Sequence, residues 1–291
     1  MADNKALDPI KQLLEIKAAN EAKTNNSKIY ELQQMLPLDD KTDTGQAEKF
    51  CKWTDHHIAW SAPYGWLTYT ETGNGGGYWQ GNSDKLVERL YIDFTDEQRL
   101  KLINSPWANS HDDADKVIDW LKFIKHCRNT YSTIKSVLGI SAALYNLDMH
   151  RFDHDGYLLN TQTGVVDLRT GEQRPAKPQD LMRHICSKGL YSDDLMQPER
   201  KIWHDFLDAV VVDQNGNTDH DYQFYLQLVA GLAAFGFVKV EKLYMAYGNG
   251  GNGKSTLFDS IARVMGSYAK SMSSDVLVDD GKGSRNFSKA D

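Results

Sequence analysis

The chain has 291 residues, 41% of them apolar, and a formal net charge of −7. That balance allows two folded cores and argues against a free-standing basic nucleic-acid binder, though not against local basic patches. Three scattered cysteines (Cys51, Cys127, Cys186) show no paired metal-ligand spacing and fit a reducing compartment, and no apolar run reaches the ~18 residues of a membrane span.

Residues 1–42 carry only sparse apolar positions (Ile10, Leu13, Leu14 and Ile16, then Ile29 to Leu36), and are expected to form a flexible lead segment with weak helical tendency. The organised chain is expected from residue 43, with Thr44 capping a helix over Gln46–Trp53. An aromatic-rich section follows. Gly65–Thr70 and Tyr78–Gln80 alternate like strands, and Gly73-Asn74-Gly75-Gly76-Gly77 reads as the hairpin loop between them. Its aromatics, Trp66 and Trp79 among them, suit a small core better than a base-stacking platform, because few Lys or Arg are interleaved.

Helical spacing dominates next. Asp84–Tyr91 and Thr95–Ile103 read as two short helices, and Asp112 to about Val137 as one long one. His126, Cys127 and Arg128 are adjacent and so face different sides of that helix; they cannot chelate together. Tyr157–Asn160, Gly164–Leu168 and Glu172–Arg174 read as short strands with turns at Thr163-Gly164 and Thr170-Gly171. Asp153, Asp155 and Asp167 lie there without the calcium-loop pattern, which favours solvated turns. Two more helices are expected, one from Pro198 through Val210 and one over Thr218–Phe235, ended by Gly236.

Lys242–Tyr247 then reads as a short buried strand, and Leu257, Ile261, Val264 and Met265 recur at helical spacing up to Gly266. Between them lies Gly248-Asn249-Gly250-Gly251-Asn252-Gly253-Lys254-Ser255-Thr256, which fits the phosphate-binding loop pattern. The glycines let the backbone curl its N–H groups inward toward a triphosphate, and the helix start adds its positive dipole end. Lys254, the catalytic candidate, would reach the β- and γ-phosphates; Ser255, the metal candidate, would ligate Mg²⁺; Thr256 would bond an α-phosphate oxygen. The expected cofactors are therefore ATP and Mg²⁺. The 26 residues after Met265, with Asp275, Asp279 and Asp280, contain no apolar strand ending in acidic residues. The ATPase module is thus expected to be incomplete here, and this chain alone to lack turnover.

Three stretches run in order along the chain: Thr42–Glu48 with Gly65-Trp66-Leu67; Leu159-Asn160 with Gly164–Glu172; and Tyr247–Leu257. Together they resemble the phage and plasmid primase–helicase family, the viral replicative helicases of superfamily III. The resemblance implies an ATP-driven DNA helicase of phage or plasmid replication, working as a homo-oligomeric ring on single-stranded or forked DNA in a bacterial cytoplasm. It also implies DNA contacts mostly outside this chain and room for replication-protein partners; primer synthesis is not supported. The implied layout is a flexible segment over 1–42, a helical pre-helicase domain with small hairpins over 43–240, and an incomplete helicase ATPase domain over 241–291. The fold class expected is α+β, followed by the first strand–loop–helix unit of an α/β, AAA+-like P-loop ATPase. Two alternatives stay open: a non-catalytic replication assembly module that retains nucleotide binding, and another P-loop NTPase or kinase.

Overall fold

The computed structural model describes residues 35–36, 40–109, 114–190, 197–238, 241–248 and 250–272. Most of the lead segment, Asn249 and the acidic tail after 272 lie outside the described residues. About half of the described chain is helical, with two small antiparallel sheets. No described helix is long and apolar enough to cross a membrane. The chain divides into two compact units, one drawn from residues up to Tyr69 and from Gln80–Met149, the other from Thr70–Trp79 and from His150 onward.

The first unit opens with a helix over Asp43–Trp53 (α1). Its cap is Thr42 rather than the expected Thr44: Thr42 is extended (φ −109, ψ 167), and its hydroxyl accepts from Gly45 N. A residue already inside the helix cannot hold that cap conformation. Strands Ile58–Ser61 (β1) and Gly65–Glu71 (β2) pair antiparallel, with Trp60 opposite Trp66. The expected hairpin continues into Gly77–Gln80 (β3), in a sheet of order β1-β2-β3.

Where two short helices were expected, one runs unbroken over Asp84–Ile103 (α2). Phe94 and Thr95, at the expected break, are fully buried, and Thr95 returns its hydroxyl to Ile92 O at 2.7 Å. Burial there outweighs the weak helix propensity of a β-branched residue. The opposite happens downstream. The expected long helix is two, Ala114–Asn129 (α3) and Tyr131–Leu144 (α4), split at Thr130, which leaves helical geometry (φ −100, ψ 109). That break lets Ile134, Val137 and Leu138 join Phe50, Tyr91 and Phe94 in one core, while Val117, Trp120 and Ile124 pack with Leu36 and Leu102 in another.

In the second unit, Leu158–Thr161 (β4), Gly164–Asp167 (β5) and Gln173–Arg174 (β6) form an antiparallel sheet in chain order, close to the expected bounds. The tip of the β2–β3 hairpin docks on it: Thr72 Oγ1 donates to Gln162 O at 2.7 Å, and Ala176 N donates to Gly75 O at 2.8 Å. Trp79 is 3% exposed, its indole N–H donating to Pro178 O at 2.9 Å and its ring meeting Phe152 edge to face. With Trp66 also buried, the core reading of these indoles is borne out.

The helices over Gln197–Val210 (α5) and His220–Ala233 (α6) form as expected, the second capped by Asp219, whose carboxylate accepts from Tyr222 N. No residue of α6 is buried, although Tyr222, Phe224, Tyr225 and Leu228 are apolar.

A candidate nucleotide site

The strand expected to feed the glycine loop is not formed. Residues 241–248 have no ladder, and Leu243, Met245 and Tyr247 are exposed at 75, 79 and 93%. A buried strand needs neighbours on both edges, and none among the described residues pairs with it. Of the expected strand–loop–helix unit, the helix after the glycine stretch is formed. That helix spans Lys254–Met265 (α7), with its first intrahelical bond from Leu257 N to Gly253 O at 2.9 Å.

Gly248, Gly251 and Gly253 have φ values of 145, 79 and 78, which curl the chain back on itself ahead of α7. A Cβ on Gly250 or Gly251 would meet nothing within 4 Å, so the rim of the loop is open. A Cβ on Gly248 would instead sit 2.9 Å from Asn252 Nδ2 and 3.5 Å from Lys254 Nζ, inside the space the loop encloses. The Lys254 ammonium reaches back over the loop, donating to Gly248 O at 3.1 Å and to Asn252 Oδ1 at 2.6 Å. Ser255 and Thr256 are exposed on the first turn, while Leu257 faces inward and is 8% exposed. An ammonium held over a glycine-rich turn at a helix start is the kind of arrangement that can hold an anionic group such as a phosphate. The structure thus brings together Gly248, Gly250, Gly251, Asn252, Gly253, Lys254, Ser255 and Thr256; Asn249 lies outside the described residues.

The other residues singled out by the sequence have local duties. Asp153 accepts from the backbone N–H groups of Arg183 and His184, and Asp155 from that of Tyr157. Asp167 takes a two-pronged bond from Arg169, at 2.9 and 2.6 Å, which lowers its carboxyl to about 2. His126 shares its ring nitrogens with the hydroxyls of Thr130 and Thr133, and Arg128 grips Asp96 at 2.7 and 3.0 Å. Sequence reasoning did not anticipate Val210 and Phe206 of α5: a Cβ on Gly253 would come within 2.6 Å of Val210 Cγ1 and 3.4 Å of Phe206. The signal available was the apolar face of α5, which does not say what lies against it.

Residues 47–212 match the family described as D5 N terminal like, more than half of the chain. The chain belongs to that family. The D5 N terminal like domain is the pre-helicase part of phage and plasmid primase–helicases, which ties this chain to DNA replication. The match takes in both sheets, α2 to α5 and α1 from Ala47 onward, and the glycine loop lies beyond it. No curated protein matches the chain.

Proposed function

We propose that this chain is part of an ATP-binding DNA helicase of phage or plasmid replication, with its nucleotide site at Gly248–Thr256. The observation that carries the reading is the folded glycine loop at the start of α7, with Lys254 held over it, in a chain of this family. On binding, Lys254 would exchange two neutral oxygen acceptors for phosphate oxygens, a stronger charge-assisted pairing. The open rim at Gly250 and Gly251 leaves room for the phosphates to approach the backbone. Ser255 would hold Mg²⁺ and Thr256 an α-phosphate oxygen. Mg-ATP supplies the phosphoanhydride whose cleavage drives strand separation. As a ring of copies the protein would act on single-stranded or forked DNA, with the D5 N terminal like domain supporting assembly and placing the ATPase.

The test is a thermal shift with Mg-ATP on the unaltered chain and on Lys254→Ala. Ligand at a hundred times its dissociation constant should stabilise the unaltered fold by about 2.7 kcal/mol. The variant should lose most of that gain while keeping the ligand-free melting temperature. An equal shift in both proteins would place the ligand elsewhere and end this reading.

A further inference from the structure

The helix that begins at the glycine loop is held at both ends by residues of the family domain. At its start, Gly253 lies against Val210. At its end, Gly266 turns with φ +59, and a Cβ there would lie 2.5 Å from Ile185 O and 2.7 Å from Ser187 N. Neither the conformation nor the space admits a side chain at 266. Four hydrogen bonds cross this contact. Ser187 N donates to Val264 O at 3.0 Å, and Ser267 N to Ile185 O at 3.1 Å. The Ser267 hydroxyl accepts from Ile185 N at 2.8 Å and donates to Ile185 O at 3.2 Å.

The segment that receives the helix is itself bonded to the sheet. Cys186 N donates to Asn160 O at 2.9 Å, and Asn160 Nδ2 donates to His184 O at 3.0 Å. Asn160 N also reaches the Tyr268 hydroxyl at 3.1 Å. An unbroken series of hydrogen bonds therefore runs from β4 through 184–188 to the far end of the helix that carries Lys254. The carbonyls at a helix end ordinarily find water or a local cap; here a backbone segment distant in sequence supplies a donor to one of them. A 12-residue helix is a rigid spacer of about 18 Å, so whatever fixes one end fixes the other.

We propose that the D5 N terminal like domain is a working part of the nucleotide site. Ser267 and Gly266 are positioning residues that anchor the loop-bearing helix to 184–188, and occupancy of the loop by a nucleoside triphosphate is transmitted to that segment and to β4. The proposal rests on the nucleotide reading above, and adds that loop and sheet respond as one body.

The experiment is amide hydrogen exchange of the full chain with and without Mg-ATP, alongside equilibrium dialysis, for the unaltered protein, Ser267→Ala, Ser267→Thr and Lys254→Ala. In the unaltered protein Mg-ATP should slow exchange around the loop and also at 184–188 and 158–162. Ser267→Ala should bind Mg-ATP roughly five- to tenfold more weakly and show protection confined to the loop, whereas Ser267→Thr, which keeps the hydroxyl, should restore both. Without ligand, Ser267→Ala should already speed exchange at 184–188. Bound Mg-ATP with no added protection at 184–188 would overturn the coupling and leave the nucleotide site standing. Unchanged ligand-free exchange in Ser267→Ala would overturn the anchor. Absence of binding by the unaltered protein would remove the nucleotide reading, and this proposal with it, and Lys254→Ala binding as well as the unaltered protein would do the same for this loop.

Discussion

Gln46 and Gln98 exchange two hydrogen bonds, at 2.7 and 3.2 Å, with neither side chain exposed. The Gln98 amide also donates to Met35 O at 2.7 Å. The pair ties α1 to α2 beside Phe50, Tyr91 and Phe94, and a second polar contact, from the Trp53 indole N–H to Glu97 Oε2 at 2.9 Å, joins the same two helices. Gln98→Leu would leave both the Gln46 amide and Met35 O without this partner in a buried site. The expected cost is about 1–3 kcal/mol, and the double variant Gln46→Leu/Gln98→Leu should cost less than the sum of the two singles. Urea unfolding of the four proteins measures this directly; strict additivity would mean that the two amides act independently.

Asn160 holds the hairpin tip to the second sheet, donating to Gly77 O at 2.8 Å and to His184 O at 3.0 Å while fully buried. Asn160→Ala should destabilise by about 2–3 kcal/mol, because one buried and one half-buried carbonyl lose a donor. Asn160→Asp should be worse, since it turns an acceptor toward two acceptors and brings a charge into the core. If Asp matched Asn in melting temperature, the amide's donor role would be wrong.

All three cysteines are buried and free. Burial pushes the thiols of Cys51 and Cys127 up to about 12 and that of Cys186 to about 11, against an ordinary value near 8.5. A folded-state value raised above the unfolded one contributes stability that is fully present below the unfolded value. It is lost as pH rises through the folded value. Stability should therefore hold from pH 7 to 8 and decline steadily from about pH 9 upward. Burial raises the phenols of Tyr91 and Tyr268 too, which adds to the same trend. A thiol reagent at pH 8 should label the native chain only as fast as it opens; rapid stoichiometric labelling would contradict this burial.

Trp66 and Trp79 are 6 and 3% exposed and cannot present a face to a base without leaving the core. Trp66→Ala should cost about 3–5 kcal/mol of stability. The milder Trp79→Phe should stay folded, losing mainly the bond to Pro178 O, about 1 kcal/mol. Fluorescence anisotropy with single-stranded DNA across a salt series should show weak, shallowly salt-dependent binding, the same for Trp79→Phe as for the unaltered chain. Steep dependence approaching −0.9 per phosphate over many phosphates, lost in Trp79→Phe, would require a stacking platform here.

Much of this protein follows from interactions between near neighbours in the chain, and those the sequence determined by itself. The spacing of Trp203, Phe206, Leu207 and Val210, and of Tyr222, Tyr225 and Leu228, specifies helices because their hydrogen bonds close over four residues. Glycine needs no partner to adopt φ +78 at 253, so the loop ahead of Lys254 was legible from composition and spacing. Packing between distant segments set the rest. It carried α2 through Phe94 and Thr95, broke the next helix at Thr130, and left Leu243, Met245 and Tyr247 exposed where a strand was expected. It also set Gln46 against Gln98 and Gly266 against Ile185. Each of these depends on residues far apart in the chain, whose meeting is settled by buried area and by hydrogen bonds that local pattern does not encode.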